Sequence, residues 1–298
     1  MTFTGFFLVD KPAGWTSHDV VARIRALAQQ RKAGHAGTLD PMATGLLVVG
    51  MGRATRLLRF VQGAPKEYLA TARLGVATDT LDAAGSVLTR EPMPVTEGDV
   101  RRVLERFVGT VHQVPPMVSA LKVGGRRLYE LAREGVEVDR DPRQVTIYEL
   151  ELLDFAPSDY PELSFRVRCS AGTYVRTLAD DVARALGGRA HLSALRRTAN
   201  GSLRVDAASS IDRLGDLVAA DRLDEALIAP ASALRDLAAA TVDDDAARAV
   251  RHGMAFPRGA LGASLPERGV VRLLDPLGDL IAVYRIDGGQ VKPEVVLA

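Results

Sequence analysis

Some segments of this chain have the hydrophobic periodicity of strands and others that of helices, and the two kinds do not alternate strictly along the sequence. Residues 5–10 and 163–169 are typical of strands, because apolar side chains fill a short run in the first and recur at every second position in the second. The segments that follow Ser17 and Thr96 carry apolar residues at helical spacing behind a capping residue. Strict alternation would indicate a parallel sheet with crossover helices, so the irregular order predicts an α+β fold instead.

Length and the placement of the strand-like segments predict two domains. A chain of 298 residues exceeds the usual size of one domain, and 47% hydrophobic residues are enough for a sizeable core. Strand patterns at 270–274 and 280–286 predict a smaller β-rich domain that begins near residue 230. Residues 115–143 are rich in Pro, Gly and Arg around one short helix, and we expect them to form a surface excursion from the first domain.

Composition excludes several classes of protein and of binding site. No apolar run approaches the ~20 residues of a membrane helix, and the N-terminus carries no secretion-type segment. We therefore expect a cytoplasmic protein that does not associate with membranes. Cys169 is the one cysteine, which excludes an internal disulfide framework and a multi-cysteine zinc site. The five histidines have no paired spacing, so no metal site is expected.

Charge is distributed unevenly although the net charge is only +1. Residues 1–66 hold nine Lys and Arg against three Asp and Glu, and residues 161–204 hold eight against three. Affinity for nucleic acid follows local rather than total charge, so two basic segments that converge in the fold could form one phosphate-binding groove. A solvated surface of mixed charge is the alternative, and charge alone does not separate the two.

The most informative segment is residues 34–45, which read GHAGTLDPMATG. Its glycines let the backbone approach a substrate closely, and Pro41 fixes the backbone directly after Asp40. The segment therefore predicts one carboxylate presented on a rigid turn. In an arbitrary sequence an Asp before Pro is more often a turn or capping residue. A nucleotide-binding P-loop is excluded, because the Gly-Lys-Ser/Thr ending is absent.

A hydrolase of the serine type is the first alternative, since Ser17, His18 and Asp19 are adjacent in the sequence. Adjacent residues on one segment point in different directions and cannot form a catalytic triad. The Gly-x-Ser-x-Gly turn of such enzymes is also absent. We therefore reject this alternative.

Several motifs taken together indicate a family. GHAGTLDPMATG is followed in order by KEY, RLGVATDTLDAAG, SALKVGGRRLYELAREG, GTYVRT and LRR, after the opening LVDKPAGWTSHDVV. This series, between about residues 5 and 205, resembles the TruB family of bacterial tRNA pseudouridine synthases, which act on the TΨC loop. The resemblance implies a catalytic domain at 1–230 with a mixed, mostly antiparallel sheet and flanking helices. It also implies an RNA-contacting thumb at 115–143 and a PUA-like RNA-binding domain at 231–298.

The resemblance also assigns roles to individual residues. Asp40 matches the catalytic carboxylate, Arg176 the arginine that pairs with it, and Tyr68 the tyrosine that stacks on the target base. We expect the guanidinium of Arg176 to keep Asp40 ionised by lowering its pKa. Further residues match positions near the substrate: Lys11, His35, Asp82, Tyr174 and Leu195.

The implied reaction breaks the glycosidic C–N bond of uridine, rotates the uracil and forms a C–C bond. Nothing is gained or lost overall, so no cofactor is expected. The carboxylate could attack the sugar at C1′, add to uracil C6 or promote elimination at C2′, and the residues leave all three routes open. The implied substrate is uridine 55 of tRNA, which must first be flipped from its stack.

Two related functions remain as alternatives. The protein could be a factor that folds tRNA without chemistry, or could fold tRNA in addition to modifying it. It could also be a guide-RNA-dependent relative that requires protein partners. The compact opening, without extended N-terminal and basic C-terminal segments, favours the stand-alone form. We expect a monomer with tRNA as its partner.

Overall fold

Strands and helices follow one another in the irregular order that the sequence predicts. The computed structural model describes residues 2–119, 121–136, 138–261 and 265–297. The predicted thumb at 115–143 includes residues 120 and 137, which lie outside the described residues. The strands are β1 (Gly5–Lys11), β2 (Ala33–Ala36), β3 (Thr44–Met51), β4 (Lys66–Leu74), β5 (Val76–Thr78), β6 (Val87–Arg90), β7 (Gly109–Gln113), β8 (Lys122–Val123), β9 (Arg126–Arg127), β10 (Arg143–Ala156), β11 (Glu162–Cys169), β12 (Ala190–Asn200), β13 (Leu203–Arg204), β14 (Leu227–Ile228), β15 (Ala238–Thr241), β16 (Phe256–Pro257), β17 (Gly269–Leu274), β18 (Leu280–Asp287) and β19 (Gln290–Val296). The helices are α1 (Ser17–Leu27), α2 (Leu58–Gly63), α3 (Glu97–Glu105), α4 (Leu128–Arg133), α5 (Val175–Ala185), α6 (Ile211–Ala219), α7 (Pro230–Ala233) and α8 (Asp244–Arg251).

The larger sheet forms the centre of the molecule. Within the described residues it has ten strands, in the order β14-β1-β3-β12-β4-β11-β10-β7, with β2 beside β3 and β13 beside β12. The pairing of β12 with β3 is parallel and the other pairings of this sheet are antiparallel. The predicted mixed, mostly antiparallel sheet is confirmed.

One face of this sheet carries the helices. On β4, Tyr68, Ala70, Ala72 and Leu74 are buried, whereas the residues between them are half-buried or exposed. The apolar sides of α1, α3, α5 and α6 join these side chains in one core cluster. Alternation along β4 thus directs one side of this strand towards the helices. Strands β1 and β3 are instead buried along almost their whole length.

A second sheet forms the C-terminal part, as the strand patterns at 270–274 and 280–286 predict. In the described residues it has five strands in the order β15-β17-β18-β19-β16. Its own core includes Tyr284, whose hydroxyl donates to the carbonyls of Val250 and Met254. The α+β class with a small β-rich C-terminal unit is therefore confirmed.

Helix starts agree with the capping patterns, with one correction. Thr96 caps α3 in a capping box with Asp99, as predicted. The N-cap of α1 is Thr16 rather than Ser17, because the Thr16 hydroxyl accepts from the backbone N–H of Asp19. Ser17 is instead the first helical residue, and its side chain is buried. Among the described residues, no helix has both the length and the apolar character needed to cross a membrane.

Candidate active site

A tight loop between β2 and β3 presents Asp40. Two glycines are required by the backbone around it. Gly37 has φ +85° and Gly45 has φ +96°, both in the left-handed region. A Cβ at Gly45 would lie 2.3 Å from the carbonyl oxygen of Arg197, because β3 and β12 meet there. The N–H of Ala43 donates to the carbonyl of Asp40 (3.1 Å) and closes the turn.

Side chains from β1 and α1 hold this loop from behind. The Ser17 hydroxyl accepts from the N–H of Leu39 (2.9 Å) and donates to its carbonyl (3.2 Å). The Lys11 ammonium donates to the carbonyls of Pro12 (2.9 Å), Trp15 (2.6 Å) and Pro41 (3.2 Å). These contacts fix the residues on both sides of Asp40.

Lys11 is fully buried in this position. Burial lowers the pKa of Lys11 to about 8, although the negative charge of Asp40 opposes the shift. An ammonium has three N–H donors, and three carbonyls accept them here. Contact of Lys11 with substrate stays a prediction, and the geometry favours a supporting role under the Asp40 loop.

Asp40 and Arg176 form a two-point ion pair. The Arg176 Nε lies 2.9 Å from Asp40 Oδ2, and its Nη2 donates to Asp40 Oδ1 at 3.1 Å. Arg176 lies in the first turn of α5 and is 3% exposed, whereas the Asp40 side chain is 31% exposed. One edge of the carboxylate is therefore held by the protein, while part of it remains accessible to a substrate.

The rest of the guanidinium is also occupied by protein groups. Arg176 donates to the carbonyls of Thr80 (2.7 Å) and Val118 (2.8 Å), and its Nη1 lies 3.6 Å from Asp82 Oδ2. Asp82 is buried, and its Oδ1 accepts from the Thr80 hydroxyl (2.6 Å). The structure thus brings Asp40, Asp82 and Arg176 together, as the motifs predict, with Arg176 in the centre.

The electrostatic balance at Asp40 differs from the expectation. Burial raises the pKa of Asp40 above its ordinary value, and the nearby charge of Asp82 raises it further. The charge and hydrogen bonds of Arg176 and the charge of Lys11 lower it, but they do not outweigh the loss of water. The predicted downward shift is therefore wrong in sign, because the sequence showed the arginine but not the burial.

Tyr68 and Leu195 face the same side of the sheet as the loop. Tyr68 is 9% exposed, and its partner across the strands is Arg197; Leu195 lies opposite Ala70. Burial raises the pKa of Tyr68, which keeps its hydroxyl neutral, while Arg197 acts in the opposite direction. Asp40 is close enough to influence this pKa.

Arg197 is a residue to which sequence reasoning gave no role. It is 1% exposed, and it donates to the carbonyls of Leu46 (2.7 Å) and Gly37 (3.0 Å). A buried arginine thus joins the Asp40 loop to β3 and Tyr68. Arg197 belongs to the LRR motif, but its burial was not predicted, because an arginine on a strand is more often exposed.

His35 lies on β2 at the start of the loop. Its ring packs edge to face with His18, with ring centres 5.6 Å apart. Burial lowers the pKa of His35, and the neighbouring His18 and Arg197 lower it further, which favours a neutral ring. Within the part of the chain that the structure describes, no group of three or more His, Cys, Asp or Glu side chains is placed to hold a metal ion.

Tyr174 stands at the N-cap of α5, two residues before Arg176, and its side chain makes no capping hydrogen bond. Its backbone is held by Gln113 at the end of β7. The N–H of Tyr174 donates to Gln113 Oε1 (3.0 Å), and Gln113 Nε2 donates to the carbonyl of Tyr174 (3.3 Å). Gln113 and Ser17 were also missed as site residues, because their partners are distant main-chain groups.

Comparison with known proteins identifies the family of this chain. The profile of the "TruB family pseudouridylate synthase (N terminal domain)" matches residues 25–175. Profiles of the "tRNA pseudouridylate synthase B C-terminal domain" and of "tRNA Pseudouridine synthase II, C terminal" match residues 176–241 and 237–298.

Full-length relatives and solved structures extend the match. A "tRNA pseudouridine synthase B" of Thermobifida fusca is 45% identical over 301 residues, which cover 99% of this chain and 98% of the relative. One of Symbiobacterium thermophilum is 50% identical over 246 residues, covering 82% of this chain and 80% of the relative. The fold matches the structure titled "Crystal Structure of a Cbf5-Nop10-Gar1 Complex" with a TM-score of 0.79 and 29% identity, over 99% of this chain and 85% of that one. This chain belongs to the TruB family of pseudouridine synthases.

Proposed function

We propose that this chain converts uridine 55, in the TΨC loop of tRNA, into pseudouridine, with Asp40 as the carboxylate that acts on the flipped-out nucleotide. The observation that carries the proposal is the two-point ion pair of Asp40 with a buried Arg176 beside Tyr68. The names of the relatives, which specify tRNA, support the substrate.

In this proposal each residue has a task. Arg176 orients the carboxylate and stabilises its negative charge, which favours the form that can act as a nucleophile or a base. The accessible part of Asp40 is the part that would meet the nucleotide. Tyr68, with a neutral hydroxyl, offers a flat face on which an extruded uracil can stack, a contact worth roughly 1–3 kcal/mol. After the new C–C bond forms, uracil C5 loses its proton and N1 gains one, so the isomer keeps its composition.

We further propose that residues 1–230 carry the reaction, that residues 115–143 close over the RNA and that residues 231–298 contribute RNA contacts. A monomer that works in the cytoplasm without a protein partner suits this proposal. The Cbf5 structure is titled as a complex with Nop10 and Gar1. The alternative is therefore that this chain also requires a protein partner. An activity assay of the purified chain distinguishes the two.

Asp40→Asn tests the proposal, because it keeps the shape of the side chain and removes the charge. We expect release of tritium from C5-labelled uracil in tRNA to fall below detection, while affinity for tRNA stays within about threefold, since Asp40 contributes no positive charge to phosphate binding. Primer extension on tRNA treated with the wild-type chain should place the modification at position 55.

Two outcomes would contradict the proposal. Turnover that survives in Asp40→Asn would show that Asp40 is not the acting carboxylate. A wild-type chain that binds and refolds tRNA without forming pseudouridine would favour the tRNA-folding alternative.

A further inference from the structure

Gln113 links two distant parts of the site. It is the last residue of β7, at the edge of the large sheet, and only 2% of its surface is exposed. Both ends of its amide bind the main chain of Tyr174, which is 61 positions later in the sequence. A buried amide that uses a donor and an acceptor on one residue fixes both the distance and the direction of that residue's backbone.

The residue that Gln113 holds starts the helix that carries Arg176. The Tyr174 carbonyl also accepts the helical hydrogen bond from Leu178 (3.0 Å), so a shift of Tyr174 would move the first turn of α5. Among the contacts described for Tyr174, Gln113 is the side chain that supplies hydrogen bonds to its N–H and carbonyl. Gln113 therefore satisfies the N–H of the N-cap residue, a main-chain donor at the helix start that has no partner within the helix.

The chain that follows Gln113 makes a second contact with the same turn. Five residues later, the carbonyl of Val118 accepts from Arg176 Nη2, the nitrogen that also donates to Asp40 Oδ1. Residues 113–118 thus contact the first turn of α5 at its backbone and at its guanidinium.

We propose that Gln113 is a positioning residue for the isomerisation: by fixing the main chain of Tyr174 it sets the guanidinium of Arg176 against Asp40. The inference rests on the proposed function of Asp40 and goes beyond it. Gln113 does not touch the carboxylate, and its effect passes through the backbone of α5. A displacement of about 1 Å at Arg176 would be enough to lower the rate by roughly 10²-fold.

The test compares Gln113→Leu with wild type in single-turnover formation of pseudouridine. We expect the rate to fall by roughly ten- to a hundredfold, while the Kd for tRNA changes by less than about threefold, because no phosphate contact is removed. The acid limb of the pH–rate profile should also move to higher pH, since a displaced Arg176 lowers the pKa of Asp40 less. A residue that merely stabilised the fold would not move that limb.

Gln113→Met is the second variant, in case leucine prevents folding. It keeps the length of the side chain and adds no charge but removes both hydrogen bonds to Tyr174, and we expect the same changes in rate and pH limb. Gln144→Leu is the control, because Gln144 is an exposed glutamine on the neighbouring strand β10, opposite His112. It should behave as wild type.

The outcomes separate the two proposals. Wild-type protein that forms no pseudouridine would overturn the proposed function itself. Active wild-type protein, together with a folded Gln113 variant whose rate and pH limb are unchanged, would overturn the role of Gln113 and leave that of Asp40 intact.

Discussion

At the scale of single residues, the site depends on a balance of charge around one partly accessible carboxylate. Burial and Asp82 raise the pKa of Asp40, and Arg176 lowers it. In its proposed role Asp40 has to be ionised, so activity should be lost as the pH falls through this raised pKa, which lies above the ordinary value of 3.8. Each neighbouring charge therefore affects the pH below which activity is lost, as well as the geometry of the site.

Asp82→Asn should shift that limit downwards. The substitution removes a negative charge near Asp40, so the pKa of Asp40 falls and the acid limb of the single-turnover rate moves to lower pH. The amide oxygen of Asn can still accept from Thr80. Asp79→Asn is the control, because Asp79 is exposed in the same loop and its carboxylate accepts from the N–H of Ser86. An acid limb that moves upwards in Asp82→Asn would contradict this electrostatic account.

At the scale of elements, α1 supports the Asp40 loop as well as the core. Its first residue, Ser17, is bonded to both main-chain groups of Leu39, directly before Asp40. The contacts described for its N-cap, Thr16, lie within the helix start, in a capping box with Asp19. Two adjacent hydroxyls thus have different tasks, which makes the pair a matched test.

Ser17→Ala should reduce both stability and turnover. It leaves the buried N–H and carbonyl of Leu39 without a partner, which costs about 1–3 kcal/mol of unfolding free energy. It also loosens the residue next to Asp40, so the single-turnover rate should fall. Thr16→Ala should cost about 1 kcal/mol through the lost cap and leave the rate unchanged. Urea unfolding and single-turnover assays measure both, and equal rates in the two variants would contradict the supporting role of Ser17.

Some features of these elements could be predicted from the sequence, and others could not. The period-two pattern on β11 and the capping pattern of α3 are local signals, and these elements lie where they predict. Asp40 and Arg176 were paired through motifs of the family. Ser17 and Gln113 carry no local signal for their roles, because each binds a main chain 22 or 61 positions away. The sign of the pKa shift at Asp40 also depends on burial, which arises only when distant segments assemble.

At the scale of the whole molecule, the two sheets are joined by a shared apolar cluster. Side chains of β1, β3 and β18 are buried together in it, among them Phe6, Leu46, Leu280 and Val283. Polar contacts surround the junction: Arg59 pairs with Glu294 at 2.8 Å, and Arg56 donates to the carbonyl of Val296 at 2.7 Å. Exposed ion pairs contribute little, so the apolar cluster is the main link.

Leu280→Ala should therefore destabilise both sheets together. The truncation of a buried leucine costs about 2–5 kcal/mol. Trp15, the one tryptophan, lies beside Lys11 in the first domain and reports on its unfolding. We expect its fluorescence transition in urea to move to lower concentration together with the far-UV circular dichroism. Leu277→Ala, at an exposed position of the same region (89%), should move neither signal. A fluorescence transition that stays in place would mean that the sheets unfold independently.

The full occupation of Arg176 has a consequence for how such an enzyme can evolve. Its guanidinium donates to Asp40, Thr80 and Val118 and faces Asp82. Few of its N–H groups are therefore available to bind a phosphate. The electrostatic attraction to RNA phosphates must come from other cationic side chains of the chain. Substitutions among those cations can therefore adjust which RNAs are captured, and how long they stay, without disturbing the chemistry.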